Sequence, residues 1–245
     1  MDGWPRWGGV FPRLSLLIVV LGLTWCTQGR ADRTDVPASS TSVAKKKGVG
    51  SLVKLPPPKQ TGRVSVEETL ARRRSVREFD DVALGDAEHS QLLWAAQGIT
   101  HRTMGLRTAP SAGALYPLEM YLVTNEGVYH YEPRAHQLEK TMSADVRNAL
   151  SNAALRQESV GDAPSILVLA GVYERTAKKY GPARAKRYVH LEAGHAAQNI
   201  LLQAIALGLG AVPIGAFEDD QVRQVLALPQ THQPLYLVPV GRPAR

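Results

Sequence analysis

Cysteine is nearly absent: the 245 residues hold one, Cys26, in the N-terminal apolar stretch. The remainder of the chain therefore has no disulfide, no thiolate nucleophile and no cysteine metal ligand. Aromatic residues are scarce at 6%, and no basic helix repeats along the chain. Both points argue against nucleic acid as a partner, although the formal net charge is +7. No G-x-G-x-x-G follows a leading strand, which argues against a dinucleotide-binding fold. No G-x-S-x-G nucleophile turn and no internal repeat occur either.

What remains is an ordinary globular composition, 44% hydrophobic and 21% charged, enough for one domain or at most two. Arg6 and Arg13 precede "LSLLIVVLGLTW", an apolar run of about a dozen residues that is shorter than the ~20 a membrane span needs. With small residues at Gly29 and Ala31, residues 1–31 read as a signal peptide, and export to the periplasm is expected. Two rivals stand beside it. Cys26 could carry a lipid, although Trp25 before it is bulky for that role, or the segment could be kept as a membrane anchor. A membrane is thus a partner only if the N-terminus is retained or lipidated.

Residues 32–62 are rich in Pro, Ser, Gly and Lys and read as a linker that either holds the domain off a membrane or wraps along its surface. The domain is expected over 63–245. Ser65 and Glu68 form a capping box for a first helix, and a second runs from Asp86 to Gly98 with Leu92, Leu93, Ala96 and nearby Trp94 as its buried face. "LEMYLVT" and "GVYHYEP" form a hairpin about Asn125-Glu126-Gly127, and "APSILVLAGV" is a buried strand. Ser143 is expected to cap a helix reaching Gln157. The longest helix covers roughly 184–208 and turns apolar nearly all round from Ala196, as at a domain centre or subunit interface. A helix about "DDQVRQVLAL" and a strand "LYLVPVG" close the chain. The class is α+β, helices packed around one sheet.

Three separated stretches share a theme. In "RRRSVREF", Arg73, Arg74, Ser75 and Arg77 gather guanidinium groups whose mutual repulsion an anion would relieve; a solvated basic face is the plainer alternative. "PSAGALYP" offers backbone N–H groups without bulk at Ser111, Ala112 and Gly113, or is simply a turn. "GLGAVPIGAF" sets backbone donors beside apolar surface, or is simply a helix cap and loop. Together they match the needs of flavin mononucleotide (FMN): arginines for its phosphate, a flat slot for its ring, and donors at the ring edge. His190, Glu192 and His195 are spaced so that the two histidines leave different sides of a helix, so no shared metal is expected.

The landmarks "RRRSVREFD", "PSAGALYPLEMYLV", "YVHLEAGHAAQNILLQAIALGLGAVPIGAF" and "VPVGRP" resemble the nitroreductase-like FMN flavoprotein family, in its SagB/ThcOx-type dehydrogenase branch. The resemblance implies a nitroreductase-like fold, a central mostly antiparallel sheet flanked by helices, in an intertwined homodimer with FMN at the interface. It implies that Arg73, Arg74, Ser75 and Arg77 meet phosphate and ring edge. Pro110, Ser111, Ala112, Gly113 and Leu115 would be laid against the flavin by the second subunit. Pro213, Ile214, Gly215 and Ala216 would supply donors to the ring, and Arg242 a phosphate contact. Where many relatives carry Asn in the P-S-x-x-N loop, this chain has Ala114. Lys179 and Tyr180 resemble the catalytic Lys-Tyr pair of azoline-oxidising members; a solvated helix end is the alternative. The implied activity is hydride transfer through flavin N5 to or from a small molecule or peptide, with NAD(P)H as one possible donor. The alternatives are a peptide-tailoring azoline oxidase or a flavin-binding protein without turnover.

Overall fold

The computed structural model describes residues 50–244. The expected signal peptide lies outside the described residues, as does the first part of the expected linker. Residues 50–62 are not a free tether. Strand β1 (Leu52–Lys54) pairs with β6 (Gln137–Met142), and Leu55 is 3% exposed in the core. Lys59 donates its amide to Gln91 Oε1 at 2.8 Å, and the Ser90 hydroxyl donates to the Pro56 carbonyl at 2.6 Å. The folded part therefore begins by residue 50 rather than at 63, and the segment wraps along the domain.

The Ser65 side chain accepts from the Glu68 amide at 3.1 Å and starts α1 (Val66–Arg72), as the S-x-x-E spacing predicts. Helix α2 (Asp86–Gln97) follows, then a small hairpin of β2 (Ile99–His101) and β3 (Leu106–Arg107) that the sequence reading missed. The expected hairpin is present as β4 (Leu118–Thr124) and β5 (Gly127–Glu132). The helix expected from Ser143 to Gln157 is shorter, α3 (Arg147–Ala153), and a separate short helix, α4 (Glu158–Gly161), follows it. Leu155 and Arg156 take φ of 58° and 62°, a left-handed pair that no continuous helix admits. Strand β7 (Ser165–Gly171) leads to α5 (Tyr173–Tyr180) and the long α6 (Pro182–Ala206), followed by β8 (Gly210–Ala211), α7 (Asp219–Val225) and β9 (Gln233–Gly241).

Among the described residues the sheet has seven strands in the order β1-β6-β5-β4-β7-β9-β8, each neighbour antiparallel. Both faces of β7 are covered. Leu167 and Leu169 join the cluster containing Leu92, Leu93 and Ile200 of α2 and α6. Ile166 and Val168 join Leu150 of α3 and Val222 of α7. That double coverage is why "SILVLAG" reads as a continuous apolar run instead of an alternating one. Each such side chain contributes roughly 1.5–3 kcal/mol on burial. Helix α6 buries Ala193, Ala197, Ile200 and Ala204 but leaves Leu191 54% exposed and Leu202 and Ile205 only half-buried.

Candidate functional site

The arginine stretch lies beside the last loops of the chain. Ser75 forms a parallel bridge with Ala211, and the Val76 amide donates to the Ala211 carbonyl at 3.1 Å. Farther along, the Asp80 amide donates to the Arg242 carbonyl at 2.9 Å and the Ala244 amide to the Glu78 carbonyl at 3.1 Å. Residues 73–80 thus form a strap tied to β8 at one end and to Arg242 at the other. Phe79 of the strap packs against the core, while two of its arginine side chains are left free. Arg77 is exposed and Arg73 half-buried, and neither makes a hydrogen bond or ion pair among the described residues. Arg74 spends Nη1 on the carbonyls of Ala71 and Arg73, capping α1.

Arg242 is committed in part. Its Nη2 donates to Glu88 Oε1 at 2.8 Å, while the other Glu88 oxygen accepts from the Gly85 amide at the start of α2. Its Nη1 is buried without a partner. A guanidinium N–H left so is costly, and an anion brought to this strap is the acceptor that would satisfy it.

The donor loop is narrower than expected. Pro213 has no N–H, and the Ile214 amide is consumed by the Leu237 carbonyl at 2.8 Å, so neither offers a free donor. Gly215 and Ala216 are exposed, and their amides donate to nothing among the described residues. Those two are the available pair.

The small-residue loop stands elsewhere in the chain. No hydrogen bond joins Pro110–Leu115 to the arginine strap among the described residues. Its neighbours are instead Lys179 and Tyr180 at the end of α5. A methyl placed on Gly113 would come within 2.8 Å of the Tyr180 hydroxyl and 2.9 Å of Lys179 Nζ. The loop makes one tight turn, with φ of 63° at Gly113, 54° at Ala114 and 47° at Tyr116. Tyr116 is its hub. Its amide donates to Ser111 Oγ at 2.9 Å, its hydroxyl accepts from the Arg107 amide at 3.0 Å, and its carbonyl accepts from Arg175 at 3.1 Å. The Arg107 guanidinium covers its ring at 4.7 Å from the centroid.

Behind this loop is a buried polar cluster that the sequence reading did not find. Glu192 of α6 is 2% exposed and accepts from Gln97 Nε2 at 3.4 Å, with Ser111 as a further partner. Gln97 in turn accepts from Arg107 at 2.9 Å. Burial pushes the Glu192 carboxyl up to about 7, against the opposing pull of Ser111, Gln97 and Arg107. On the outer side, Glu119 is held down to about 2: burial raises it, but bonds from His130 and Arg175 outweigh that. The signal for Glu192 was its place as a lone acid among the small and apolar residues of "LEAGHAA". His190 bonds the Tyr173 hydroxyl at 2.6 Å, and no group of metal-binding side chains occurs among the described residues.

Two cavities, of about 770 and 590 Å³, open between residues 54–66 and the ends of α2 and α6 or the β2–β3 hairpin. None of the residues singled out above for a flavin lines either one.

Comparison with known proteins decides what these elements are. Residues 70–242 match the model of the Nitroreductase family. The chain belongs to that family. A nitroreductase of this kind is an oxidoreductase, and the relatives agree. A Methanocaldococcus jannaschii protein named as a nitroreductase, MJ1384, is 44% identical over 185 residues, 73% of this chain and 91% of that one. The NADPH-flavin oxidoreductase of Vibrio harveyi is 28% identical, covering 72% of this chain and 65% of its own length. The crystal structure of a Ralstonia eutropha JMP134 protein, also named as a nitroreductase, superposes with a TM-score of 0.73 at 32% identity, over 79% of this chain and 90% of that one. The mostly antiparallel sheet flanked by helices is thus the nitroreductase fold.

Proposed function

We propose that this nitroreductase-family chain is an FMN-dependent oxidoreductase of the SagB/ThcOx type, working as a homodimer on a small organic substrate outside the cytoplasm. The observation that carries the reading is the strap. It gathers Arg73, Ser75 and Arg77 beside β8 and Arg242, with one buried guanidinium N–H unsatisfied and the Gly215 and Ala216 amides unpaired nearby in sequence. Those groups fit a phosphate and the polar edge of a flavin ring. When bound, the flavin supplies two-electron acceptance and donation at N5.

The chain's own residues do the rest. The arginines bind the phosphate by charge-assisted bonds and Arg242 Nη1 gains its acceptor. Gly215 and Ala216 orient the ring edge. No hydrogen bond joins the loop 110–115 to the strap among the described residues, and in this reading a second copy brings its loop to complete the slot. The half-exposed face of α6 at Leu191, Leu202 and Ile205 is the surface such a copy would cover. Lys179 and Tyr180, close enough to Gly113 that an added methyl would meet both, would hold or move a substrate proton.

The N-terminal segment favours export. NAD(P)H is scarce outside the cytoplasm, so the reading favours oxidation of a substrate over nitroreduction. Purified full-length protein should be yellow, with the absorbance of bound FMN, and should be reduced sluggishly in anaerobic titration with NADH or NADPH. Colourless protein that FMN cannot reconstitute would overturn the reading. Arg77→Ala should weaken FMN binding by about 1.5–3 kcal/mol, measured by fluorescence titration.

The second reading is a peptide-tailoring dehydrogenase that oxidises azolines, with Lys179 and Tyr180 as its proton-handling pair. Their shared position, where a methyl added at Gly113 would meet both, favours it. Turnover of a thiazoline-bearing peptide that Tyr180→Phe abolishes would choose it over the first.

A further inference from the structure

The smaller cavity, of about 590 Å³, opens where three segments meet: residues 54–60, the β2–β3 hairpin and the turn between β5 and β6. No residue of the strap, of the loop 110–115 or of α6 lines it. Its exposed charges are all positive. Lys54, Arg102 and Arg134 come one from each segment, and no aspartate or glutamate joins them among the described residues. None of the three forms an ion pair there. Glu132, the acid next to the turn, accepts from Gln137 at 2.9 Å and does not line the cavity. The buried and half-buried part of the lining is mostly apolar, with Leu55, Pro58, Trp94 and Ile99. These walls are tied down. β1 pairs with β6, and Lys59 and Gln91 exchange two hydrogen bonds of 2.8 and 2.9 Å. His136 Nε2 lies 2.8 Å from the Ser90 hydroxyl and 3.0 Å from the Pro56 carbonyl, and its Nδ1 lies 2.8 Å from the Tyr131 hydroxyl. On the opposite side, a methyl added at Gly105 would stand 3.5 Å from Arg134 Nη2, so the hairpin and the turn approach each other closely.

We propose that this cavity is a second binding site, for a small anionic molecule with a flat apolar body, of which an aromatic carboxylate is the simplest member. Three like charges around one opening repel one another, and with no acid among them a bound anion offsets that repulsion. The two guanidinium groups suit a carboxylate, whose paired oxygens match their paired N–H donors. Trp94 and the rings of Pro57 and Pro58 give the body its apolar surface. The volume falls within the range of about 300–1,000 Å³ usual for small-molecule sites. His136 has both ring nitrogens engaged and serves as wall, not as ligand. The site stands independently of the flavin, because no residue assigned to FMN lines it.

The test is calorimetric titration of the full chain with 2-naphthoate as the probe and its uncharged amide as control, with and without one equivalent of FMN. Wild type should bind one naphthoate per chain, equally well in both conditions, and the amide about tenfold more weakly or worse. Replacing Arg102→Ala and Arg134→Ala together removes exposed side chains that form no ion pair, so Tm and FMN binding should hold. Naphthoate affinity should fall about tenfold or more in that variant, and its salt dependence should shrink. Arg102→Gln with Arg134→Gln, which keeps the side-chain stems, must show the same loss if the alanine variant proves less stable. Lys54→Ala should cost less, because an ammonium group makes no paired contact with a carboxylate. The proposal is overturned by any of four results: no saturable naphthoate binding to wild type, equal affinity for acid and amide, wild-type affinity in the double variants, or displacement of naphthoate by FMN.

Discussion

The two halves of the site are held in opposite ways. The arginine strap is fixed by main chain: amides of Val76, Asp80 and Ala244 bond to carbonyls of Ala211, Arg242 and Glu78. The Arg73 and Arg77 side chains are therefore free to meet a ligand. The loop 110–116 is held instead through side chains, its own Ser111 and Tyr116 and those of Arg107 and Arg175 packed against it. A segment that binds charge is best secured through its backbone, whereas a segment that must leave space is best secured from behind.

That contrast can be broken at two glycines. At Gly210 an added methyl would lie 2.7 Å from Val76 Cβ and Cγ1, atoms of a branched side chain on the strap. Gly210→Val should push the strap off β8 and cost about 2–3 kcal/mol, seen as a lower Tm together with lost FMN binding. If the strap is instead loose, neither will change.

The loop's supports come next. Arg175→Ala removes the donor to the Tyr116 carbonyl and strips Glu119 of a partner. Because the Arg175 side chain is 40% exposed, a cost of only about 1–2 kcal/mol is expected in denaturant titration. Glu119 is lowered in the folded chain from 4.5 to about 2. Its contribution is therefore present above its ordinary value and is lost as pH falls from there toward about 2. In Arg175→Ala the folded value rises, so the loss should begin at the same pH, finish at a higher one and be smaller in total, which acid titration of stability measures.

The smallest effect belongs to Gly113→Ala. The new methyl meets only the tips of Lys179 and Tyr180, which can move, and φ of 63° adds about 1 kcal/mol of strain. Stability should change little while any activity that depends on Lys179 and Tyr180 drops. An equal loss at Gly113 and Gly210 would erase the distinction between the two halves.

Elements whose signal is local were legible in the sequence. The Ser65 cap, the β4–β5 hairpin, the buried β7 and the long α6 each carry their pattern within a few turns or one strand. What escaped depends on partners far away. β1 is three residues in a Pro- and Lys-rich stretch and exists because β6 lies beside it. The break between α3 and α4 rests on two residues in left-handed geometry that no glycine announces. At the site, the arginines and Arg242 were readable as charge. The loss of Ile214 as a donor follows from its bridge to Leu237, and the Glu192 cluster assembles from α2, β3, the loop and α6; neither has a one-dimensional trace.

The strap has a kinetic corollary. Its bridge from Ser75 to Ala211 spans 136 residues of chain, so closing it is among the costlier loop closures in folding. Once closed, it is secured by a handful of peripheral bonds outside the seven-stranded sheet. Such a segment can peel and reseat while the sheet stays intact, at a free energy below that of global unfolding. The rate at which a phosphate-bearing ligand enters or leaves would then be set by the fraying of residues 73–80, and not by breathing of the core.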